Sequence, residues 1–309
     1  MKKSVLVALA AAACLAGPAL AQQQAPANPP VGPDWSKIEV KTFDLGNRTY
    51  MLEGFGGNVT IAAGDDGVIM VDGQFAPMHD KLKAAIAAVT QQPVRFLVNT
   101  HYHRDHVGGN APFSKDGAVV VAHENVRKRL AEGTTMAVPE VKYAPAPEEA
   151  LPAITHKEGI TLQVKGRAAQ LKHPANAHTD GDTFVYFADA NVVSTGDTVA
   201  IGRYPNIDFA NGGGLKGMIA ASDAYLALAN DGTKIVPGHG PLASKAQLAE
   251  YRTMLSTVRD RMLALIKEGK SEADVLAAKP FADFDARLKA NDQASTNWVR
   301  VVYASVKSE

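Results

Sequence analysis

Short apolar runs bounded by glycine and Asp-Gly turns predict a strand-rich chain. The runs lie at residues 48–54, 57–64, 67–73, 94–100 and 117–123 in the first half and at residues 160–166, 168–173, 183–189, 190–196 and 233–238 in the second. Helical spacing places Met78, Leu82 and Ile86 on one face of a predicted helix. Each half has strands first and helices after, which predicts a layered α/β protein with sheets inside and helices outside.

Two helix starts in the last third of the chain carry capping-box signatures. Ser244 is followed three residues later by Gln247, and Ser271 is followed by Asp274. Each pair precedes a stretch with apolar residues at helical intervals. These signatures predict helices that begin directly after Ser244 and Ser271.

The N-terminus has the composition of an export signal. Residues 1–21 begin with two lysines, continue through an Ala/Leu/Val stretch and end on Ala-Leu-Ala. They predict a cleaved signal peptide and a periplasmic or secreted protein, followed by a disordered lead-in at residues 22–34 and a single domain at residues 35–309. Cys14, the one cysteine of the sequence, lies within the signal, so the mature chain offers neither disulfides nor thiolate ligands.

The balance of basic and acidic residues limits the classes of partner that we expect. The sequence has 32 basic and 32 acidic residues and no basic run. This balance predicts no nucleic-acid partner and no stable membrane association once the signal is removed. We expect a small-molecule substrate. The sequence predicts nothing about the oligomeric state.

Residues 99–110, NTHYHRDHVGGN, contain four side chains of metal-binding types and directly follow a predicted buried strand. His101 and His103 alternate in extended backbone and can face one divalent ion such as zinc, whereas Asp105 and His106 point elsewhere. Further candidates follow other strand-like runs. They are His178, Asp197 and His239. Together, the five histidines and two aspartates are enough to bind two metal ions.

The H-x-H-x-D-H-x-G-G run and the three later ligands resemble the metallo-β-lactamase fold superfamily, from about Thr49 through Pro241. The resemblance implies an αββα sandwich with its site along one edge and two Zn²⁺ ions. It assigns His101, His103 and His178 to one ion and Asp105, His106 and His239 to the other, and it makes Asp197 the bridge. A metal-bridging hydroxide would attack a substrate carbonyl, with Asp105 as the catalytic residue that orients it and relays its proton.

The same resemblance leaves the substrate class open. Asp197 stands where one β-lactamase subclass has cysteine, and Ala200 stands where that subclass has a carboxylate-binding lysine. A bridging aspartate is instead typical of glyoxalase-II-like thioesterases, lactonases and other esterases. Export, and Asn211 in a segment similar to one that carries a carbonyl-binding asparagine, favour a β-lactamase-like enzyme.

Four residues are candidate substrate contacts. They are Asn211, Arg203, Lys216 and Phe55, the last at the tip of a predicted glycine-rich flap at residues 54–57. Surface solubility charges are an alternative for the two cations, and a plain hairpin turn is the alternative for the flap.

The sequence leaves three functions open. The first is a dinuclear zinc hydrolase that opens a cyclic amide in the manner of a β-lactamase, weakly or promiscuously. The second uses the same site on lactones, esters or thioesters. The third is an iron-dependent oxidoreductase or a metal-binding protein without turnover.

Overall fold

The predicted apolar runs pair into sheets. The computed structural model describes residues 33–309. Within that range the strands are β1 (Lys41–Gly46), β2 (Thr49–Glu53), β3 (Val59–Ala63), β4 (Val68–Val71), β5 (Val94–Val98), β6 (Val119–His123), β7 (Thr134–Ala137), β8 (Glu140–Tyr143), β9 (Ile154–His156), β10 (Gly159–Val164), β11 (Arg167–Lys172), β12 (Phe184–Phe187), β13 (Val192–Ala200) and β14 (Lys234–His239). The α-helices are α1 (His79–Ala87), α2 (Arg104–Val107), α3 (Asn110–Lys115), α4 (Glu124–Glu132), α5 (Leu215–Leu228), α6 (Lys245–Lys267), α7 (Glu272–Ala278), α8 (Ala282–Leu288) and α9 (Asp292–Lys307).

Strand order brings several strand ends to one edge. The first sheet runs β1-β2-β3-β4-β5-β6-β9, and its last four strands are parallel neighbours. The second runs β10-β11-β12-β13-β14, with β13 and β14 parallel. Strands β7 and β8 form a separate hairpin. Because the carboxyl ends of parallel neighbours lie at the same edge, the segments that follow them can converge there.

Three hydrophobic clusters fill the space between the layers of sheets and helices. Between the sheets, Val71 and Val98 of the first belong to one buried cluster with Val185 and Phe187 of the second. The outer face of the first sheet packs against α1 and α3, as the buried Leu82 illustrates. The outer face of the second sheet packs against helices α5, α6 and α9. The predicted αββα order of layers is therefore confirmed.

The helix starts follow the predicted capping. The Ser244 side chain accepts a hydrogen bond from the Gln247 backbone N–H, and the Gln247 side chain accepts one from the Ser244 N–H. Ser271 and Asp274 form the same reciprocal pair at the start of α7. Both predicted capping boxes are confirmed, since their signal is entirely local.

Strand β13 differs from the prediction. It continues past residue 196 to Ala200, so Asp197 lies within the strand and not after it. Pairing with β14 shifts register on both sides of Gly196, which has a φ of +55°. The irregular backbone arises where glycine adopts a left-handed conformation. The segment that carries Asp197 therefore departs from the regular strand pairing that precedes Gly196.

Residues 35–309 form one compact unit. No helix in the described range is both long and apolar enough to cross a bilayer. The predicted signal peptide and nearly all of the predicted lead-in lie outside the described residues.

Candidate metal centre

Four separate segments bring the seven predicted ligands together. Residues 99–110 follow β5, His178 lies in the connection between β11 and β12, Asp197 lies in β13, and His239 ends β14. The ligands form two groups, and the ligand atoms within each group lie within 4.8 Å of one another. The first group is His101, His103, His178 and Asp197, and the second is Asp105, His106 and His239. The geometry thus fits the predicted division of ligands.

In the first group, ring nitrogens of three histidines lie close together. His103 Nδ1 lies 3.1 Å from His101 Nε2 and 3.0 Å from His178 Nε2. Asp197 Oδ2 lies 3.8 Å from His178 Nε2. In the second group, His239 Nε2 lies 3.3 Å from His106 Nε2 and 3.0 Å from Asp105 Oδ2.

Asp197 joins the two groups. Its Oδ1 lies 3.2 Å from His106 Nε2, whereas its Oδ2 is the atom nearest His178. Oδ1 is buried and makes no well-aligned hydrogen bond in the described chain, and it faces the ring nitrogens of His106 and, at 3.5 Å, His239. A buried carboxylate oxygen without a partner is costly, so this atom calls for a cation. One carboxylate therefore offers an oxygen to each of two ion positions.

The outer nitrogens of four ligand rings are occupied. His101 Nδ1 lies 3.0 Å from Thr100 Oγ1, His103 Nε2 lies 3.4 Å from Asp208 Oδ2, His106 Nδ1 lies 2.8 Å from Asp72 Oδ2, and His178 Nδ1 lies 2.7 Å from the Asn206 carbonyl oxygen. Because each outer nitrogen can donate its hydrogen to one of these oxygens, the inner nitrogen is the one left to bind a metal ion. Such second-layer partners orient metal-binding histidines. The donor set of imidazole nitrogens and carboxylate oxygens fits a divalent metal such as zinc.

The charges of the second group compensate one another. Burial alone lowers the pKa of His239, but the charges of Asp197 and Asp105 outweigh it and raise that pKa to about 9. The same two carboxylates outweigh burial at His106 and hold its pKa well above the usual value. In the first group burial prevails, and the pKa of His178 falls to about 4. The carboxylates thus require positive charge between them, either as protons or as a metal ion.

Two aspartates that sequence reasoning missed support the ligands. Asp72 follows β4 directly and also accepts hydrogen bonds from the Thr100 backbone N–H at 2.8 Å and from its hydroxyl at 2.7 Å. Asp208 accepts a hydrogen bond from the Tyr102 hydroxyl and lies beside His103. The Asp-Gly pair after a buried strand was a usable signal for Asp72. No comparable local signal marks Asp208.

The structure gives Asn211 a structural role, contrary to the prediction. Its side chain is buried, and its amide N–H donates to the Asp208 carboxylate at 2.8 Å. Its carbonyl oxygen accepts hydrogen bonds of 2.6 Å from both Arg129 and Thr134. With donors and acceptor already engaged, the amide of Asn211 is not free to bind a substrate carbonyl.

The two predicted cations lie apart from the ligands. Arg203 is exposed and lines a groove with Glu250 and Tyr251 of α6. Lys216 is exposed in the first turn of α5. In the described part of the chain, neither forms a hydrogen bond or an ion pair with any of the seven ligands. The structure therefore supports the alternative of surface charges for both.

The glycine-rich segment at residues 54–57 does lie against the centre. The Gly57 backbone N–H donates to the Asp105 carbonyl at 2.9 Å. A Cβ at Gly57 would lie 2.2 Å from the His106 ring, so only glycine fits. Phe55 is 38% exposed, and its ring centre lies 5.3 Å from that of Trp35. Phe55 stays a predicted apolar contact beside the second group.

Tyr143, at the end of the β7–β8 hairpin, is a site residue that the sequence did not reveal. Its ring stacks on that of His103, with centroids 5.7 Å apart and an interplanar angle of 16°. Burial, followed by the charge of Asp105, raises the pKa of Tyr143 to about 12. Its hydroxyl therefore stays protonated at neutral pH, and it has no hydrogen-bond partner among residues 33–309. It is available to a substrate.

Three histidines without predicted ligand roles form a second cluster. His123 and His156 are paired neighbours on β6 and β9, and His173 follows β11 in the other sheet. The His123 ring lies 4.0 Å from that of His173, nearly parallel, and 5.8 Å from that of His156. His123 also accepts a hydrogen bond from the Asn125 N–H at the start of α4. His156 Nδ1 is buried without a partner in the described chain.

Comparison with curated proteins gives two partial matches. The chain is 30% identical over 148 residues to 2,4-dinitroanisole O-demethylase subunit alpha of Nocardioides sp., covering 47% of this chain and 42% of that protein. It is 26% identical over 198 residues to a hydroxyacylglutathione hydrolase of Polaromonas sp., covering 60% of this chain and 66% of the relative. The matched part thus spans less than two thirds of either relative.

Solved structures share the fold at low identity. A metallo-beta-lactamase from Pontibacter korlensis superposes with a TM-score of 0.59 at 19% identity and covers 71% of this chain and 99% of its own. The sec-alkylsulfatase Pisa1 from Pseudomonas sp. gives 0.65 at 19% identity, covering 85% of this chain and 50% of its own. The family model of the Metallo-beta-lactamase superfamily matches residues 52–239, which include all seven ligands. The chain belongs to the metallo-β-lactamase superfamily.

Proposed function

We propose that the protein is a dinuclear zinc hydrolase of carboxylic esters in the broad sense, including lactones and thioesters. The observation that carries the proposal is the placement of Asp197, whose two oxygens face the two ligand groups separately. A site for one ion would not need a buried carboxylate oriented in this way.

Two divalent ions bound there would supply a Lewis acid for a carbonyl oxygen and an activated water at neutral pH. The protein's own contribution is orientation and proton transfer. Asp105 is 27% exposed at its side chain, against 11% for Asp197, so it is the carboxylate nearer the open side. We assign Asp105 the role of accepting a proton from the attacking water. Tyr143 offers a hydroxyl donor to a substrate oxygen on the side of His103.

The distribution of positive charge favours ester-type substrates over β-lactams. A β-lactam antibiotic carries a carboxylate that needs a cation beside the metal centre. Ala200 stands where the cysteine-bearing subclass has its carboxylate-binding lysine, and Asn211 is engaged elsewhere. Independently of charge, the relative named hydroxyacylglutathione hydrolase supports an ester-type substrate, since its name describes hydrolysis of a thioester. Opening of a cyclic amide is therefore proposed as a weak side activity.

A paired assay tests the proposal. The zinc-loaded protein is given an aromatic lactone, a hydroxyacyl thioester of glutathione and a chromogenic cephalosporin under identical conditions, before and after chelation. We expect chelator-sensitive turnover that is faster on the lactone or thioester than on the cephalosporin. Faster cephalosporin turnover would reverse the substrate preference, and the absence of turnover on all three would refute the proposed substrate class.

Metal analysis of the protein as purified tests the ions themselves. Two zinc ions per chain are expected, whereas one iron ion with redox activity would support the oxidoreductase alternative. We also propose export to the periplasm or medium, on the composition of residues 1–21. Cleavage after Ala21, read from the N-terminus of the exported protein, is the expected result.

A further inference from the structure

A second cavity lies beside the metal-binding loop. Its volume is about 340 Å³, at the lower end of the range of small-molecule sites. Val107, Ala111, Leu130 and Ala146 contribute to its largely apolar lining. None of the seven metal ligands lines it. Four of these ligands lie along residues 101–106, interspersed with Tyr102 and Arg104 and followed by Val107, and these three residues do line the cavity.

One cation of the cavity lining, the solvent-exposed Arg104, has no anionic partner in the described chain. The Arg129 guanidinium is neutralised by Asp180 and also donates to Asn211. Arg104 donates one N–H to the Lys142 carbonyl at 2.7 Å, and it has no carboxylate partner within the described chain. Its guanidinium lies 4.9 Å from the ring centre of Tyr143, at the wall of the cavity. An apolar space with one unneutralised cation fits a ligand that has an apolar body and one negative charge.

Two residues of the cavity wall connect it to the metal centre. The Tyr102 hydroxyl donates to Asp208, and the Asp208 carboxylate lies 3.4 Å from His103 Nε2. The ring of Tyr143 stacks on the ring of His103. A ligand that fixes these two tyrosines therefore also restricts His103, whose inner nitrogen belongs to the first ligand group.

We propose that this cavity binds a small amphiphilic monoanion, of the class of medium-chain carboxylates, and that its occupancy is coupled to metal binding through His103. The ligand places its carboxylate on Arg104 and its chain among the side chains of Val107, Ala111 and Leu130. Because coupling between two sites is reciprocal, the bound anion and zinc change each other's affinity by the same factor.

Calorimetric titration of the full-length, zinc-loaded protein with octanoate tests the site. We expect saturable binding, at least tenfold weaker binding of the uncharged octanamide, and a loss of about tenfold or more in octanoate affinity in Arg104→Gln. Arg300→Gln, which changes an exposed arginine of α9, is the matched control and should bind octanoate unchanged.

Two substitutions that fill the cavity with a larger side chain test whether octanoate binds there. Ala111→Phe and Ala146→Leu enter the cavity from different segments, so at least one is expected to fold and bind zinc normally. Either folded variant should lose octanoate binding. Octanoate binding that survives in a folded filling variant would place the anion elsewhere, for example on the metal ions, and would overturn the site. Absence of binding to the parent protein at millimolar octanoate would overturn it as well.

A competition titration tests the coupling. The zinc affinity of the parent protein, measured against a chromogenic chelator, should rise about threefold or more when octanoate is saturating. In Ala111→Phe the same octanoate concentration should leave zinc affinity unchanged. An unchanged affinity in the parent would refute the coupling to His103.

Discussion

The carboxylate of Asp72 accepts a hydrogen bond from the Nδ1–H of His106 at 2.8 Å. Both side chains are buried, and the contact fixes the tautomer that leaves His106 Nε2 free for a metal ion.

Asp72→Asn should therefore weaken metal binding. An asparagine tolerates the φ of +63° at this position, but its NH2 group would face either His106 or the Thr100 N–H as a second donor. We expect zinc affinity to fall about 10- to 100-fold, measured by chelator competition. Asp66→Asn, at an exposed ion pair with Arg95, is the control. Equal zinc affinity in Asp72→Asn and parent would refute the role of the contact.

Asp197→Asn tests the bridge. An amide can offer one oxygen but not two, and it lacks the negative charge that offsets two cations. We expect the second ion to be lost more readily than the first, with metal content measured by mass spectrometry during stepwise chelation. Asp260→Asn, on the exposed face of α6, should retain both ions. Retention of two ions in Asp197→Asn as well would contradict the assignment.

Metal binding should release protons. The pKa of His239 is about 9 because nearby carboxylates outweigh burial, and His106 is raised in the same way. At pH 7 both rings are protonated without metal, and each must lose a proton to bind an ion. Apparent zinc affinity should therefore fall as pH falls below 9. Calorimetry in buffers of different ionisation enthalpy counts the protons, and release of none would contradict this description.

The histidine cluster between the sheets should make the fold sensitive to acid. Burial, with the neighbouring His123 and His173, lowers the pKa of His156 to about 4. Between about pH 6.5 and pH 4 the unfolded chain then binds the proton more tightly, so stability falls as pH falls through that window. The loss from this group reaches about 3 kcal/mol.

His156→Gln cannot take up that proton. We expect its free energy of unfolding, from urea titrations at several pH values, to depend less steeply on pH than that of the parent between pH 6.5 and 4. The difference between the two proteins at each pH cancels the contribution of metal loss. Parallel curves would show that His156 does not titrate in this way.

Tyr143→Phe keeps the aromatic ring and removes the hydroxyl, so it tests the role of the hydroxyl alone. The ring that stacks on His103 remains, so zinc stoichiometry should be unchanged, whereas the donor to substrate is lost. We expect kcat for an ester substrate to fall about 5- to 30-fold with little change in KM. Tyr204→Phe, whose hydroxyl donates to the distant Asp285, is the control. A parental kcat in Tyr143→Phe would exclude the hydroxyl from the reaction.

The parts of the structure that the sequence predicted are those with local signals. Apolar runs and turn residues predicted the strands, and Ser244 with Gln247 predicted the start of α6. The ligands were recognisable because metal-binding residue types cluster near the ends of predicted strands. His101 and His103 could be predicted as metal ligands without knowledge of distant contacts.

The surroundings of the ligands could not be predicted in the same way. Tyr143 reaches His103 because the β7–β8 hairpin packs on the segment that carries Asn211, as the Thr134 hydrogen bond shows. That contact joins residues 77 positions apart. Asn211 has the residue type expected of a substrate contact, but the buried Asp208 carboxylate beside it consumes its amide. Only tertiary packing determines which partner such a side chain receives.

Because the ligands come from segments of both sheets, metal binding depends on the order in which the chain folds. Four of the seven come from the segment after β5, and the other three come from the connection after β11 and from β13 and β14. A chain that has been synthesised only as far as β10 carries two ligands of each group, because His178, Asp197 and His239 are still missing. Metal binding by the complete ligand set would therefore follow the docking of the second sheet on the first, and it would connect the two halves of the finished chain.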